Sequence, residues 1–341
     1  MISSRTELVA MAEADWLARL EPKGAVATII NLLSKTNEVL QDMLTVEGNL
    51  PTGHQTTVRT GLPSAVWRQL NYGVPKAKST TATIIDGCGM LEVYSEVDKG
   101  LATLNDHGTD FLFSEDIAFL EAMSQQMADT LFYGDTSLHP ERFLGLAPRY
   151  PSVNPATAQN AANVIDMGGT GSTNTSLWIV VWGPHTVHGI FPKGSKAGFQ
   201  RQYMGQKTLT DPQGNLYEGY RTHYKWDMGL TVRDWRYVVR LANIDVTTLS
   251  GGTPPDLIKA LIRGLHRLPT QPMGGAKGAP TMGSTVIYCN RTIRSWLDIQ
   301  AEAKSNLLLT MGEFAGKPAT TFRGVPIRTC DAIVNTEARL V

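Results

Sequence analysis

Cysteine is scarce: Cys88, Cys289 and Cys330 are the only three in 341 residues, and none stands in a CxxC pair or beside a histidine at metal-ligand spacing. This excludes a disulfide-stapled secreted scaffold and a zinc module, and core thiols in a reducing compartment are expected. Net charge is lacking as well, because 31 basic residues are balanced by 31 acidic ones. No overall field draws such a chain to nucleic acid or to an anionic membrane, which disfavours a dedicated DNA-binding protein but leaves room for a local basic patch. No stretch approaches the roughly 20 apolar residues that span a bilayer. Glu7, Glu13 and Asp15 interrupt the apolar positions near the start, so no signal-peptide core forms and residence in a cytoplasm is expected. The chain also has no internal repeat, no GxSxG elbow and no HExxH pair. Neither catalytic nor metal-ligating residues are indicated, and no cofactor is expected.

What is present belongs to a folded chain. The 42% hydrophobic and 18% charged fractions are globular values, and the length suffices for one large or about two ordinary domains. Ser4-Arg5-Thr6-Glu7 has capping-box spacing, and Leu8, Met11, Ala12, Trp16 and Leu20 follow at helical steps. Beyond Pro22 and Gly24, the stripe Val26, Ile29, Ile30, Leu33, Leu40, Met43 and Leu44 predicts a second amphipathic helix, which needs a surface to bury against.

From Gly48 to Ser79 the texture changes to turn residues, with Val58, Leu62, Val66, Trp67, Leu70 and Tyr72 embedded among them. Large apolar groups without a helical period cannot bury against their own segment. The stretch reads as an extended hairpin-like loop of the length that usually carries function, and Trp67 with Arg59 and Arg68 favours an interface. Thr80–Asp86 predicts the returning strand. Ser114 offers an N-cap for a helix in which Ile117, Leu120, Met123, Met127 and Leu131 make one buried face, stopped by Gly134.

Beyond a Pro-rich loop from Pro140 to Pro155, strands dominate. Leu177–Trp182 is a continuous apolar run, and Asp211-Pro212-Gln213-Gly214 is a turn signal between two strands. Trp235, Tyr237, Val239 and Leu241 alternate with Arg236, Val238 and Arg240, which predicts a long antiparallel sheet with one buried face. A boundary is expected at Ser250–Pro255. After it come a helix carrying Leu257, Ile258, Leu261, Ile262, Leu265 and Leu268, a Gly/Pro loop from Gln271 to Gly283, a strand at Thr285–Cys289 and a helix from Thr292 to Lys304.

Three motifs invite sharper readings. The run Gly168-Gly169-Thr170-Gly171-Ser172-Thr173 resembles a phosphate loop, yet it lacks the lysine and precedes a strand, so a plain loop is expected. His185 and His188 stand three apart beside Gly183 and Pro184, which favours turn or surface histidines over a metal site. Lys259, Arg263, His266 and Arg267 form the basic side of a helix, where an exposed face and the helix dipole account for them without nucleic acid.

The segments Val58–Pro63, Trp67–Asn71, Gly73–Pro75, Cys88–Glu92, Ser95–Lys99, Ser114–Asp116, Phe132–Gly134, Trp226–Asp227 and Gly229–Arg236 together resemble the major capsid proteins of tailed bacteriophages, in particular those of short-tailed phages of the epsilon15-like and Bordetella group. The resemblance covers nearly the whole chain. It implies an α+β, HK97-like capsid fold, with an N-terminal arm at 1–47 and an extended loop at 48–86. A P-domain would occupy 87–250, with its spine helix at 114–133, and an A-domain 251–341. One departure stands out: the strand-rich part precedes the α+β part, which implies a rearranged topology of that fold. Also implied is a non-enzymatic subunit that self-assembles into pentamers and hexamers of an icosahedral head. Its implied partners are other copies of itself, scaffolding, portal and decoration proteins, and double-stranded DNA packaged without sequence specificity, with no membrane. Arg59, Leu62, Trp67, Arg68 and Tyr72 of the extended loop are the expected subunit contacts. The alternatives are a cytoplasmic α+β enzyme with an unrecognised site and a ring-forming tail or portal-associated protein.

Overall fold

Nine consecutive residues, Asn174–Trp182, are buried without a break, a pattern that requires a strand covered on both faces and paired along both edges. The computed structural model describes residues 35–103, 108–251, 254–269, 283–302, 309–314 and 317–341. Its strands are β1 Thr45–Glu47, β2 Gly53–Gly61, β3 Thr80–Asp98, β4 Val164–Asp166, β5 Asn174–Trp182, β6 Val187–Phe191 and β7 Phe199–Thr210. There follow β8 Leu216–Val232, β9 Val238–Asp245, β10 Ser284–Cys289, β11 Leu309–Phe314, β12 Lys317–Phe322 and β13 Val325–Thr329. The longer helices are α1 Gly108–Tyr133, α2 Leu257–Leu265 and α3 Arg291–Glu302. The chain divides into two units. The smaller holds Met90–Met127 and Gly198–Asp227, and the larger holds Thr36–Gly89, Ala128–Ala197 and Met228–Val341.

In the larger unit β5 lies between β9 and β10, antiparallel to both, with Ile179 opposite Val239 on one side and Ile287 on the other. Parallel partners extend the sheet, β4 beyond β9 and β13 beyond β10. One face carries Leu177, Ile179, Val239, Leu241 and Ile287, and they share a core with Leu257, Ile258 and Leu261 of α2 and Ile293 and Leu297 of α3. Asp256 caps α2 by accepting from the Lys259 amide at 3.0 Å, and Asn290 caps α3 by accepting from the Ile293 amide at 2.9 Å. Gly264 lets α2 approach, since a Cβ there would sit 2.8 Å from the Ile179 Cδ1. On the other face Trp178 meets the rings of Phe132 and Tyr150 at 6.2 and 6.1 Å. Each such aromatic contributes about 1.5–3 kcal/mol by burial.

In the smaller unit β7 and β8 form a long hairpin, from Phe199 opposite Trp226 to Thr210 opposite Leu216. Its turn is closed by the Asp211 carboxylate, which accepts from the Gln213 and Asn215 amides at 3.0 and 2.7 Å, and by Gly214 at φ 88°. On its other edge β8 neighbours β3. Polar side chains pair across these strands, with Glu92 3.1 Å from His223 and Glu96 2.6 Å from Arg221. Helix α1 is pinned to β7 by the buried Asp116, which accepts from Arg201 Nε and Nη2 at 3.0 and 2.7 Å.

Several expectations are corrected. The helix begins at Gly108, so Ser114 lies inside it and is no cap. Met123, Met127 and Leu131 are buried, but Ile117 and Leu120 are 46% and 38% exposed. The buried line in that half runs through Asp116 and Met123 instead, because the arginine pair lets a carboxylate occupy the sheet side. The helical stripe expected to reach Leu44 ends in one turn at Val39–Asp42 followed by β1. Trp235–Tyr237 is a 3-10 turn, and β9 is buried on both faces, Arg240 included. His188 is a buried strand residue in β6, unlike His185 in the preceding turn. The expected helices before residue 35 and residues 271–282 of the Gly/Pro loop lie outside the described residues, as do 303 and 304.

Candidate assembly surface

β2 and the first half of β3 form an antiparallel hairpin in which His54 faces Asp86, Val58 faces Ala82 and Arg59 faces Thr81. Threonine and β-branched side chains supply much of both strands, which suits a pleated backbone with little burial. The register slips between Arg59 and Gly61, and a bulge there ends the pairing. Residues 62–79 then carry neither helix nor strand. Asn71 takes the left-handed conformation at φ 67°, which asparagine tolerates better than most residues. It sits in a turn where the Tyr72 amide donates to Gln69 O at 3.3 Å and Arg68 Nε donates to Tyr72 O at 3.0 Å.

The side chains of this turn do not fold inward. Leu62 is 82% exposed, Trp67 fully exposed, Leu70 90% and Tyr72 68%. Several large apolar groups left wet on one segment make it a candidate interaction site, because a monomer gains nothing from them. The root of the hairpin is fixed by contrast. Arg149 Nη2 donates to the buried Asp86 carboxylate at 2.8 Å and to Leu230 O at 2.9 Å. The Asn49 side chain brackets Gln55, accepting from its amide at 2.7 Å and donating to its carbonyl at 2.8 Å. Gly53 is required there, since a Cβ would lie 2.1 Å from Asp86 O. His54 meets the ring of His188 edge-on, with centroids 5.8 Å apart. Burial pushes the pKa of His188 down to about 4, so its ring is neutral at pH 7.

Beside the hairpin runs a groove of about 1180 Å³, whose lining includes Arg59, Leu62, Arg149, Tyr150, Trp235 and Arg236. It is open and mixed in polarity, unlike the enclosed apolar cavity of a small-molecule site. Of the expected contact residues, Arg59 and Leu62 share this groove and Arg68 and Tyr72 share the turn, while Trp67 stands apart. Arg149, Asp86 and His188 were not singled out by sequence as part of this region. Trp235 and Arg236 enter the sequence reading as part of an expected strand, and Arg233 and Asp234 only through the resemblance. Among the described residues no cluster of three or more His, Cys, Asp or Glu could hold a metal, and no helix is long and apolar enough to cross a membrane.

The mixed α+β chain has the HK97-like capsid fold of a phage shell subunit. The chain belongs to the family described as major capsid protein GP7, whose model matches residues 21–341. It is similar to the chain in the near-atomic structure of bacteriophage epsilon15, with 34% sequence identity and a TM-score of 0.75 over 99% of each chain. More distant similarity extends to the bacteriophage JBD30 capsid, at 10% identity and TM-score 0.45 over 89% of this chain and 92% of that one. The capsid of a native GTA particle is similar at 13% identity and TM-score 0.42, over 68% and 97%. No curated protein matches the chain. The protein is thus a structural component of a virion capsid and not an enzyme.

Proposed function

We propose that residues 48–86 are the element by which one subunit grips the next, in a head built of rings of five and six. Such a shell needs heterologous contacts that close, and the hairpin supplies a surface that its own chain leaves uncovered. The observation that carries this reading is the exposure of Leu62, Trp67, Leu70 and Tyr72 together on one unpaired segment. Charge supports it. In a chain with zero net charge, Gly48 to Ile85 contains Arg59, Arg68, Lys76 and Lys78 and no acid at all. A segment so biased is suited to an oppositely charged neighbour.

Residues 1–47 act as an arm in the same assembly, and 87–250 as the P-domain around the spine helix. The A-domain is 251–341, and its helices α2 and α3 share a core with side chains of β5 and β9. Assembly takes place in the host cytoplasm with scaffolding, portal and decoration proteins, and the shell encloses double-stranded DNA without reading its sequence. The test is to replace residues 62–79 with a short Asn-Gly turn joining Gly61 to Thr80. Folded, soluble subunits that give no megadalton particles by light scattering are expected. Shells of normal size from that variant would refute the proposal.

A further inference from the structure

The root of the hairpin gathers positive and potentially positive groups from several elements. β2 brings His54 and β6 brings His188, which is 1% exposed. His188 Nδ1 and His54 Nε2 are both buried without a hydrogen-bond partner. The turn before β6 brings His185, and Arg233, just past β8, has its Nη1 3.4 Å from His185 Nδ1 while donating to Pro184 O at 2.9 Å. β3 brings Asp86, the carboxylate opposite His54, whose Oδ1 accepts from Arg149 at 2.8 Å while its Oδ2 is buried without a partner. A proton added to His188 would place a new charge beside Arg233, His54 and His185, none of which can neutralise it.

We propose that this cluster is an acid-sensitive catch: neutral histidines keep the hairpin root packed, and protonation of His188 opens it and frees the hairpin. His188 is pushed down first by burial and then by Arg233, His54 and His185, against one hydrogen bond that the Gly183 backbone accepts from its ring. His54 is lowered by burial and by Arg233, opposed by Asp86. An imidazole whose folded pKa lies below its ordinary 6.5 contributes stability that is complete above that value and is lost as pH falls toward and below about 4. Acidification therefore weakens the root, and alkaline conditions do not.

The consequence for shells rests on reading the hairpin as the subunit contact, whereas opening of the root does not. Hydrogen exchange on the unassembled full chain separates the two. Protection factors, which correct for intrinsic pH dependence, are compared for residues 53–61 and 80–87 against 174–182 between pH 7 and pH 4. Root protection should fall by about tenfold or more while β5 keeps its own, as expected of a local opening. His188→Gln, neutral at every pH, should retain root protection in acid. Arg233→Gln, which removes a repelling charge and so narrows the gap between the folded and ordinary pKa of His188, should shrink the acid loss and serves if the glutamine variant folds poorly. Equal acid loss in parent and His188→Gln, or no loss in the parent, would overturn the catch. Shells that persist while the root opens would instead count against the hairpin contact.

Discussion

At the scale of single residues the most consequential placement is Arg240, a charged side chain in the middle of a buried strand. Its guanidinium lies 4.9 Å over the Trp178 ring, and it donates to Glu337 Oε2 at 2.9 Å, Ser176 Oγ at 3.0 Å and Tyr150 O at 3.0 Å. Glu337 in turn accepts from the Tyr133 hydroxyl at 2.6 Å. Burial and the adjacent Glu337 hold that phenol well above its ordinary range, so it stays a donor at any working pH. A fully matched buried pair adds little over an apolar substitute, but half of one is costly. Arg240→Met should therefore destabilise the subunit by about 3–5 kcal/mol, because Glu337 remains buried without its partner. Arg240→Met with Glu337→Met should recover most of that loss, and Tyr133→Phe alone should cost about 1 kcal/mol. Urea unfolding of unassembled subunits measures all three. If Arg240→Met alone proved as stable as the parent, the network would be dispensable and the core would rest on its aromatics.

At the scale of elements the informative case is α1. Periodicity puts Ile117, Leu120, Met123, Met127 and Leu131 on one side, yet only the last three are buried. Met127→Asp should cost several kcal/mol, comparable with the stability of a whole domain, because an unpaired carboxylate would enter the core. Leu120→Asp should cost only about 1 kcal/mol, the scale of an average substitution. Thermal melting that ranked the two equally would put the buried line elsewhere. Gln125→Asp should cost about 0.5 kcal/mol, since Gln125 now donates to Glu121 at 2.6 Å and the variant would set two acids against each other. The pattern of success and error has a common physical cause. Helices α2 and α3, the core run of β5 and the turn at Asp211–Gly214 are written in local spacing and caps, and they appear where the sequence predicts them. Asp116, His188 and Arg240 are buried because of partners at least 85 residues away in the chain, which no local pattern records. The hairpin falls between these cases. Its turn residues and stranded apolar groups are legible, but its anchoring through Arg149 and Asp86 is not.

At the scale of the whole molecule, assembly through the hairpin should show two separable contributions. The bases at Arg59, Arg68, Lys76 and Lys78 are exposed, so their attraction for a neighbour's acids is screened over a Debye length of about 10 Å at 0.1 M salt. In the proposed contact Trp67, Leu62 and Leu70 would act by apolar burial, which salt does not screen in this way. Arg68 has a second role, because its bond to Tyr72 O shapes the turn that presents Trp67. Raising salt from 0.05 to 0.5 M should therefore slow parent assembly and lower its yield, as steering between exposed charges would. Arg59→Ala should lower the yield at low salt and converge on the parent at high salt. Trp67→Ala should lower it at both, because each subunit loses an aromatic anchor of the kind that dominates interface energetics. Arg68→Ala should fall between them, with a deficit that salt only partly removes, since the turn loses its internal bond whatever the ionic strength. Light scattering across a salt series for the parent and these three variants reads the whole pattern. Yields that ignored salt in the parent and in Arg59→Ala alike would show that the basic residues face solvent in the shell, and the contact would then have to be assigned to the apolar residues alone.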